Sequence, residues 1–533
     1  MKISISELAV PARGLDSAPD RELEPWIASY CGIKTSDIVS YHLERRSLDA
    51  RKKPDVKILY RLVVELKKSV RPEKLRHLSR GPASPEKTVW HEPELSPGKV
   101  LQNPLIVGTG PAGLFAALTL ALAGCRPIVV DRGFDVVRRK KDIDHFFSTR
   151  VLQEDSNLLY GEGGAGTWSD GKLYTRIRDA RMDFVMRTFV ECGADPEILY
   201  FSHPHIGSDR LPHVIATLRE KIIALGGSFL WGTHVRQPWI RNGICCGVEL
   251  EDGSRMEAPL TLIACGHSAR PLIQRMLDQQ VEGQLKGFQI GCRMEHPQSF
   301  IDWMQYGMKK RPGSLGAAEY NLSSKPSADG RFGGATSFCM CPGGEILPAV
   351  CETNTLCTNG MSNAARDGFF ANAALVTTVP PEKFSRPEEA FRFLHMLESK
   401  SFEAGGGLYV APAQSAAAFV KGTAGKLPDR GGSYRLGMNP GRLDQLLPDF
   451  ALGALKRALI HFDAVAPGFL KEGILVGLET RVSSPVRFLR NAETLSSSVP
   501  GLYIAGEGAG MAGGITSAAV DGVKLAESMI RFC

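Results

Sequence analysis

Short apolar runs, bounded by glycine or polar residues, recur along the chain and predict buried strands. They lie at 105–107, 128–130, 260–264 and 501–507. Continuous apolar runs of this length are typical of strands covered on both faces, as in a parallel sheet. Between the first two runs, the alanine- and leucine-rich stretch at 114–123 predicts a helix. The pattern therefore indicates an α/β fold.

The N-terminal part of the chain follows a different pattern, which predicts a small α+β unit. Strands are expected at 2–8, 38–45 and 55–67, and a helix is expected at 21–30. The last of these strands alternates apolar and polar residues, so one of its faces should be buried. A stretch rich in proline, serine and glutamate at 80–99 predicts a linker to the next unit.

The chain beyond this linker predicts a Rossmann-like domain that is interrupted by an insertion. A helix at 214–225 and strands at 228–235 and 243–250 extend its first segment, and a helix at 516–531 closes its last segment. The stretch between them has strand-like patches and loops. We therefore expect an N-terminal α+β domain at 1–95, the discontinuous Rossmann-like domain at 96–275 and 481–533, and an inserted β-rich substrate domain at 276–480.

Glycines follow the first buried strand at a spacing that predicts a dinucleotide site. Gly108 permits a tight turn, Gly110 lets the backbone approach a pyrophosphate, and Gly113 lets the helix pack closely on the strands. Pro111 and Ala112 open the helix, whose N-terminus offers free N–H groups to the phosphates. Asp131 lies 18 residues after Gly113 and ends the second strand, where a carboxylate can accept hydrogen bonds from a ribose.

The last buried strand leads into a second glycine-rich stretch that identifies the dinucleotide. Residues 508–513 match the same glycine spacing, but no second strand follows, so we reject a second nucleotide domain. A longer ligand explains the pattern better, with its far end at Glu507 and at the helix that begins near Gly514. An acid after a strand suits ribityl hydroxyls, and a helix N-terminus suits the electron-rich pyrimidine edge of a flavin. These residues favour FAD.

Composition narrows the class of protein only moderately. The net charge of +7 is small for 533 residues and does not by itself imply a nucleic-acid partner. No run of 18 apolar residues occurs, so we expect no membrane span. The 12 cysteines are scattered without metal-type pairs, and the N-terminus lacks the apolar core of a signal peptide. Reduced cysteines indicate a reducing compartment, so we expect the protein in the cytoplasm, without a metal.

Several strings extend this picture, because together they resemble a family of uncharacterised FAD-dependent dehydrogenases. The wider group is the glutathione-reductase-type flavoprotein superfamily, and the resemblance runs from the N-terminal unit to the last helix. In that superfamily the acid of the C-terminal glycine-rich motif is usually Asp, whereas this chain has Glu507, whose side chain is longer. The strings are RSLDARKK at 46–53, GGAGTWSDGKL at 163–173, FSHPHIG at 201–207, FCMCPGG at 338–344, TNGMS at 358–362 and ETRVSSPVR at 479–487.

The resemblance implies FAD binding by residues spread over the whole Rossmann-like domain. In related flavoproteins a glycine- and serine-rich loop such as 161–172 lies beside the isoalloxazine ring. With the fingerprint residues named above, the expected FAD contacts are Arg132, Gly164, Ala165, Gly166, Val235, Cys265, Gly266, Gly506, Glu507, Gly513, Gly514, Ile515 and Thr516.

Four residues are candidates for catalysis, each beside a simpler structural interpretation. Lys172 would stabilise a reduced flavin electrostatically or would be a solvated loop lysine. His267 follows the strand end near the expected cofactor and would contact FAD or its surroundings. Cys341 would be a thiol near the flavin or part of a tight buried turn. Arg481, like Arg487, would hold an anionic substrate or form a salt bridge.

A histidine pair and a basic turn are further candidates for binding. His203 and His205 flank a proline at a spacing that is poor for a shared metal, so polar packing is the favoured interpretation. The basic turn at 45–54 would reach phosphates or an acidic partner. No aromatic residue is interleaved with it, so a solvated hairpin tip is favoured and no nucleic-acid partner is expected.

These observations predict an FAD-dependent oxidoreductase whose small-molecule substrate or electron-transfer partner is open. No second complete nucleotide domain is visible, so NAD(P)H would visit the flavin transiently if it is the donor. One alternative is a flavoprotein that acts on tRNA through the basic turn and Arg138-Arg139-Lys140-Lys141. Another is a flavin-holding sensor or scaffold without turnover.

Overall fold

The structure is a computed structural model that describes residues 1–71, 73, 75–77, 90–95 and 103–532. Apart from 90–95, the predicted linker at 80–99 lies outside the described residues. Among the described helices, none combines the length and the apolar character needed to cross a bilayer.

The N-terminal unit is a three-stranded antiparallel sheet with one helix. Its central strand is the one with alternating apolar residues, and Ile58, Tyr60, Leu62 and Val64 are buried as this alternation predicts. The elements are β1 (Lys2–Pro11), α1 (Glu24–Cys31), β2 (Ile38–Asp49) and β3 (Lys57–Leu66), with β3 between the other two strands.

The first part of the Rossmann-like domain alternates short buried strands with helices. The predicted strand at 228–235 is divided, because the chain leaves the parallel sheet after Leu230 and turns at Gly232, where φ is +63°. The elements are β4 (Leu105–Val107), α2 (Pro111–Leu122), β5 (Ile128–Val130), α3 (Val136–Thr149), α4 (Arg181–Glu191), α5 (Leu211–Ala224), β6 (Ser228–Leu230), β7 (Val235–Arg241), β8 (Ile244–Leu250), β9 (Arg255–Glu257), β10 (Thr261–Ile263) and α6 (Arg270–Asp278).

The inserted part is built on a six-stranded sheet with helices packed against it. Its elements are β11 (Gly283–Leu285), β12 (Phe288–Pro297), α7 (Gln298–Tyr306), β13 (Ala335–Cys341), β14 (Gly344–Pro348), β15 (Thr358–Ser362), β16 (Phe370–Val379), α8 (Pro387–Ala404), β17 (Ala411–Ser415), α9 (Ala416–Lys421), β18 (Met438–Pro440), α10 (Leu443–Leu446), α11 (Asp449–Val465), α12 (Phe469–Glu472) and β19 (Ile474–Glu479). The strand order is β13-β16-β12-β19-β17-β18, and only the β17–β18 pair is parallel.

The C-terminal segment returns to the Rossmann-like domain with β20 (Val486–Phe488), β21 (Leu502–Ile504) and α13 (Ile515–Phe532). The five-stranded sheet has the order β21-β10-β4-β5-β6, and all of its pairs are parallel. The carboxyl ends of all five strands therefore lie at one edge, where open α/β sheets bind their ligands. The predicted α/β fold with a Rossmann-type parallel sheet is confirmed.

One hydrophobic core joins the N-terminal unit to the insertion. Ile5, Tyr60 and Leu62 from the N-terminal sheet belong to the same buried cluster as Phe288 and Ile290 from β12. The Rossmann-like domain has separate clusters around α2 and α13. The N-terminal sheet is thus packed as a continuation of the insertion, although the two are far apart in sequence.

Candidate FAD site

Asp131 is held at the end of β5 with its carboxylate turned toward the fingerprint. Its Oδ2 accepts hydrogen bonds from the backbone N–H of Thr109 at 2.9 Å and from the Thr109 hydroxyl at 2.5 Å. Its Oδ1 accepts from the N–H of Gly133 at 2.8 Å. The N-terminus of α2, preceded by Gly110, has no side-chain cap. Free N–H groups beside a fixed carboxylate suit the phosphate and the ribose of a dinucleotide.

Arg132 follows Asp131 directly, and Val235 lies two residues after Thr233, whose N–H donates to Asp131 O at 2.9 Å. The Arg132 Nε donates to Asp155 at 2.9 Å, and its guanidinium lies 4.3 Å from the centre of the Tyr160 ring. Val235 is buried at the start of β7. The two residues stay predicted FAD contacts, placed beside the adenosine end of the site.

The glycine-rich loop that includes Gly164, Ala165 and Gly166 packs on the fingerprint. The N–H of Gly163 donates to Thr109 O at 2.9 Å. A Cβ added to Gly164 would lie 3.2 Å from the Cα of Gly110, and one added to Gly166 would lie 3.2 Å from Cγ1 of Ile515. The loop therefore bridges the N-terminus of α2 and the N-terminus of α13, which are the two ends of the predicted site.

Arg139 holds this loop in place, although in the sequence it is only one of four adjacent basic residues. Its side chain is fully buried, and its Nη1 donates to the carbonyls of Gly161 at 3.2 Å, Glu162 at 2.6 Å and Gly164 at 2.9 Å. Its Nη2 has no hydrogen-bond partner among the described residues. Burial lowers the pKa of this guanidinium to about 9. A buried cation with a spare donor, bonded to the loop that packs on Gly110, fits an anionic ligand such as a pyrophosphate.

The strand ends at Cys265 and Gly506 meet over the fingerprint helix. A Cβ added to Gly506 would lie 3.1 Å from the Cβ of Ala112, and one added to Gly508 would lie within about 3.1 Å of both Cys265 and Gly266. Glu507 accepts a hydrogen bond from the backbone N–H of Ser484 at 3.0 Å. Burial raises the pKa of Glu507. Gly506, Glu507, Cys265 and Gly266 are thus brought together, as predicted for one cofactor site.

The N-terminus of α13 connects this site to the inserted domain. The Thr516 hydroxyl donates to Leu173 O at 2.8 Å, and the neighbouring Lys172 donates through Nζ to the carbonyl of Met340 in β13. Gly513 and Gly514 precede the helix, and the Gly514 N–H donates to the hydroxyl of Ser517 at 3.1 Å. Lys172 is therefore a contact between the glycine-rich loop and β13, and it is not a solvated loop lysine.

Strand β13 is irregular where Lys172 meets it. Its register shifts between Phe338 and Cys341, and Cys339 has a φ of +43°, in the left-handed region that favours glycine. The buried Arg293 holds this bulge through Nη2, which lies 2.8 Å from Cys339 O and 3.2 Å from Cys341 Sγ. Arg293 is itself paired with Glu479 at 3.2 Å.

Cys341 and Cys339 differ in access. Cys341 is buried, whereas part of Cys339 is exposed, but loss of solvation raises the pKa of both thiols, that of Cys339 to about 12. The structure thus brings Cys341 close to Lys172, but the exposed residue of the pair is Cys339. The two cysteines differ in solvent accessibility, and their spacing in the sequence does not predict this difference.

Of the two interpretations of Arg481, its surroundings favour the salt bridge. Its buried guanidinium pairs with Glu398 at 2.8 Å and Glu352 at 3.2 Å and donates to Cys351 Sγ at 3.1 Å. Two carboxylates already neutralise this cation in a buried ionic cluster, so its positive charge is not free to attract an anionic substrate. Arg487, its companion in sequence, is exposed on β20.

His267 stands beside the same cluster as a neutral group. Its Nε2 lies 3.0 Å from the Arg481 carbonyl, to which a neutral imidazole donates. Burial and the nearby charges of Arg481 and Arg270 lower the pKa of His267 to about 4. At neutral pH the imidazole is therefore uncharged, and its N–H is used in the hydrogen bond to the Arg481 carbonyl.

The two histidines around Pro204 are used in packing. His203 lies 3.2 Å from Glu319, and His205 lies 3.1 Å from Ala364 O. Over the residues described, no group of three or more His, Cys, Asp or Glu side chains is arranged to hold a metal.

Comparison with known proteins agrees with this site. Residues 287–482 match a family model described as "FAD-dependent protein, C-terminal domain-like", and residues 2–65 match a domain of unknown function. An uncharacterised protein of Clostridium beijerinckii is 40% identical over 524 residues, which cover 96% of each chain. The chain belongs to this family of FAD-dependent proteins.

For members of the FAD-dependent family the cofactor is FAD, and the FAD prediction is thereby confirmed. Membership of the family identifies a flavoprotein but no substrate, since the relative in Clostridium beijerinckii is itself uncharacterised. The placement in the glutathione-reductase-type superfamily stays a prediction.

Solved structures with a similar fold are distant. A geranylgeranyl bacteriochlorophyll reductase-like protein of Thermoplasma acidophilum is 12% identical, covers 81% of this chain and 80% of its own, and has a TM-score of 0.34. L-proline dehydrogenase of P. horikoshii is 11% identical, covers 81% of this chain and 94% of its own, and also has a TM-score of 0.34. At these scores the two likenesses add nothing to the functional argument.

Proposed function

We propose that the protein is an FAD-dependent dehydrogenase or reductase, which passes hydride or electrons between a donor and an acceptor. The convergence of three chain segments at the start of α13 carries this proposal. Thr516 is bonded to Leu173, and Lys172 is bonded to Met340. The helix N-terminus, the glycine-rich loop and the bulge of β13 therefore surround one position, next to the fingerprint that anchors the dinucleotide.

The chain's own groups would divide the work of binding. Asp131 and the N-terminus of α2 would hold the ribose and the phosphates of the ADP half, and Glu507 would reach the ribityl hydroxyls. When bound, FAD supplies two-electron redox chemistry, and negative charge grows at its pyrimidine edge on reduction. The free N–H groups of α13 and the ammonium of Lys172 would stabilise that charge electrostatically.

The substrate side would be formed by the insertion. The bulge presents the exposed Cys339, while Arg293 and Lys172 hold its carbonyls in place. The chain has one complete nucleotide fingerprint, so a pyridine nucleotide that reduces the flavin would bind at the ring transiently or another protein would deliver the electrons.

Anaerobic titration of the purified holoprotein with NADH and NADPH tests the proposal. We expect a yellow protein whose visible flavin absorbance is bleached by at least one donor and recovers when a suitable acceptor is added. Stopped-flow traces then give the rate of each half-reaction. Lys172→Met should slow reduction about tenfold or more while FAD content is kept, since one favourable charge is lost.

The outcomes separate the hypotheses. If neither the nucleotides nor a panel of reduced electron carriers reduces the flavin, the protein is a flavin-holding sensor or scaffold and the enzyme proposal fails. A colourless protein that FAD does not reconstitute would contradict the cofactor site itself.

A further inference from the structure

Two basic runs that are distant in sequence meet on one face of the molecule. The first, Arg51-Lys52-Lys53, forms the tip between β2 and β3, and the second, Lys309-Lys310, follows α7. The Lys53 ammonium donates to Met304 O at 2.5 Å, and a Cβ added to Gly307 would lie 2.8 Å from the Cβ of Lys53. The hairpin tip therefore rests on the end of α7.

Aromatic side chains lie along the same helix. Trp303 is 47% exposed in the last turns of α7, and Phe369 is 64% exposed. The N–H of Gln298, the first residue of α7, donates to Phe369 O at 2.8 Å, which places Phe369 at the opposite end of the helix from the lysines. We call the set Arg51, Lys52, Lys53, Lys309, Lys310, Trp303 and Phe369 the basic–aromatic surface.

Most of its cations have no acidic partner. Arg51 pairs with Asp49 at 2.7 Å, but within the described part of the chain Lys52, Lys309 and Lys310 form no ion pair. Nearby, Arg311 and Asp302 lie 3.5 Å apart and offset each other, and the exposed acids in this region are Glu7, Asp16 and Asp55. The basic side chains thus lie at the end of α7 that carries the exposed Trp303, and the exposed Phe369 lies at its other end.

We propose that the basic–aromatic surface binds single-stranded nucleic acid. Lysines that track a phosphate backbone and aromatic rings on which bases stack are the two parts of such sites. The hairpin tip has no aromatic residue in its own sequence, which argued against nucleic acid, but the fold supplies Trp303 from α7. This inference does not depend on the redox activity proposed above.

The surface also leads toward the candidate FAD site. Gln298 accepts a hydrogen bond through Oε1 from the N–H of Gly343 at 2.7 Å, and Gly343 ends the turn after the Cys339–Cys341 bulge. A strand lying along α7 would thus end beside the substrate side. An anionic membrane is the less favoured partner, because interfacial insertion needs a cluster of exposed aliphatic and aromatic side chains, and Met304 and Met308 are half-buried.

Fluorescence anisotropy of the holoprotein with a labelled oligouridylate, over a range of KCl concentrations, tests this proposal. We expect binding that weakens as salt rises. Lys309→Glu/Lys310→Glu should weaken it at least tenfold and lower the slope of log K against log salt by about 1.4, at about 0.7 for each lost phosphate contact. Trp303→Ala should weaken it roughly tenfold through lost stacking.

Arg126→Glu/Arg241→Glu is the matched control, since both arginines are exposed on the Rossmann-like domain and the charge change is the same. It should keep wild-type affinity, and flavin absorbance should be unchanged in all variants. Equal weakening by the control would indicate non-specific attraction and overturn the proposal. Absence of RNA binding at low salt, or binding of phosphatidylserine vesicles without RNA binding, would also overturn it and would leave the redox proposal intact.

Discussion

Gly110 and Gly113 stand three residues apart in the fingerprint, yet an added Cβ meets different surroundings at each. At Gly110 no protein atom lies within 4 Å, whereas at Gly113 the Cβ would overlap the carbonyl oxygen of Gly108. The first glycine is thus kept open for the ligand, and the second is required for the helix to pack on β4.

We therefore expect a valine to have different effects at the two positions, on FAD binding at Gly110 and on folding at Gly113. Gly110→Val should fold with wild-type secondary structure but lose FAD, because the side chain occupies the approach to the pyrophosphate. Gly113→Val should give little soluble protein. Circular dichroism and the ratio of flavin to protein absorbance check both, and a fully yellow Gly110→Val protein would contradict the placement of the cofactor.

His267 makes stability depend on pH in a predictable direction. Its pKa is about 4 in the folded protein, against about 6.5 when unfolded, so the unfolded chain takes up the proton first as pH falls. The stability contributed by the neutral imidazole is present above pH 6.5 and is lost as pH falls toward 4. His267→Asn removes this titration.

The free energy of unfolding of the wild type relative to His267→Asn should therefore fall by about 2 kcal/mol between pH 7.5 and pH 5. Urea denaturation of both proteins at the two pH values gives this difference, and other titrating groups largely cancel in it. A difference that does not change with pH would mean that the imidazole titrates normally.

At the scale of elements, the glycine-rich loop depends on Arg139 from α3. Arg139 donates hydrogen bonds to three of its carbonyls, in addition to the contacts that the loop makes with the N-termini of α2 and α13. A lysine at this position keeps the charge but loses the fork of donors that reaches several carbonyls at once.

Arg139→Lys should weaken FAD binding about tenfold or more, while Arg138→Lys, at the exposed neighbouring position, should leave it unchanged. Calorimetric titration of the apoprotein with FAD measures both. If the Arg139 variant binds FAD like the wild type, the spare donor of this side chain does not serve the cofactor.

Local sequence patterns predict some of these elements but not the roles of the buried arginines. The buried strands and the fingerprint helix follow from local apolar patterns, and Asp131 follows from its place after such a strand. Arg139 was assigned to a basic surface run, since the sequence does not tell which of four adjacent cations faces inward. The sequence leaves Arg481 open between a substrate contact and a salt bridge, because Glu398, its partner, lies 83 positions away in the chain. Long-range pairing decided both.

For the whole molecule, the shared core predicts that the N-terminal unit cannot be removed. Deleting residues 1–66 would remove Ile5 and Tyr60 from the buried cluster that also contains Phe288 and Ile290, and would expose apolar surface of the insertion. We expect the shortened chain to aggregate or to bind a hydrophobic dye strongly. Size-exclusion chromatography against the full chain checks this, and a monodisperse, yellow truncated protein would show that the insertion is stable without the N-terminal sheet.

The position of β21 and α13 has a consequence for synthesis in the cell. They complete the parallel sheet and one end of the FAD site, but they are translated after every other part of that site. The N-terminal sheet and the insertion can begin to assemble on the ribosome, whereas the fingerprint must wait for partners about 400 residues downstream. The nascent chain should therefore acquire its flavin as one of the last events of its maturation, and its exposed fingerprint helix would be a natural place for a chaperone to bind until then.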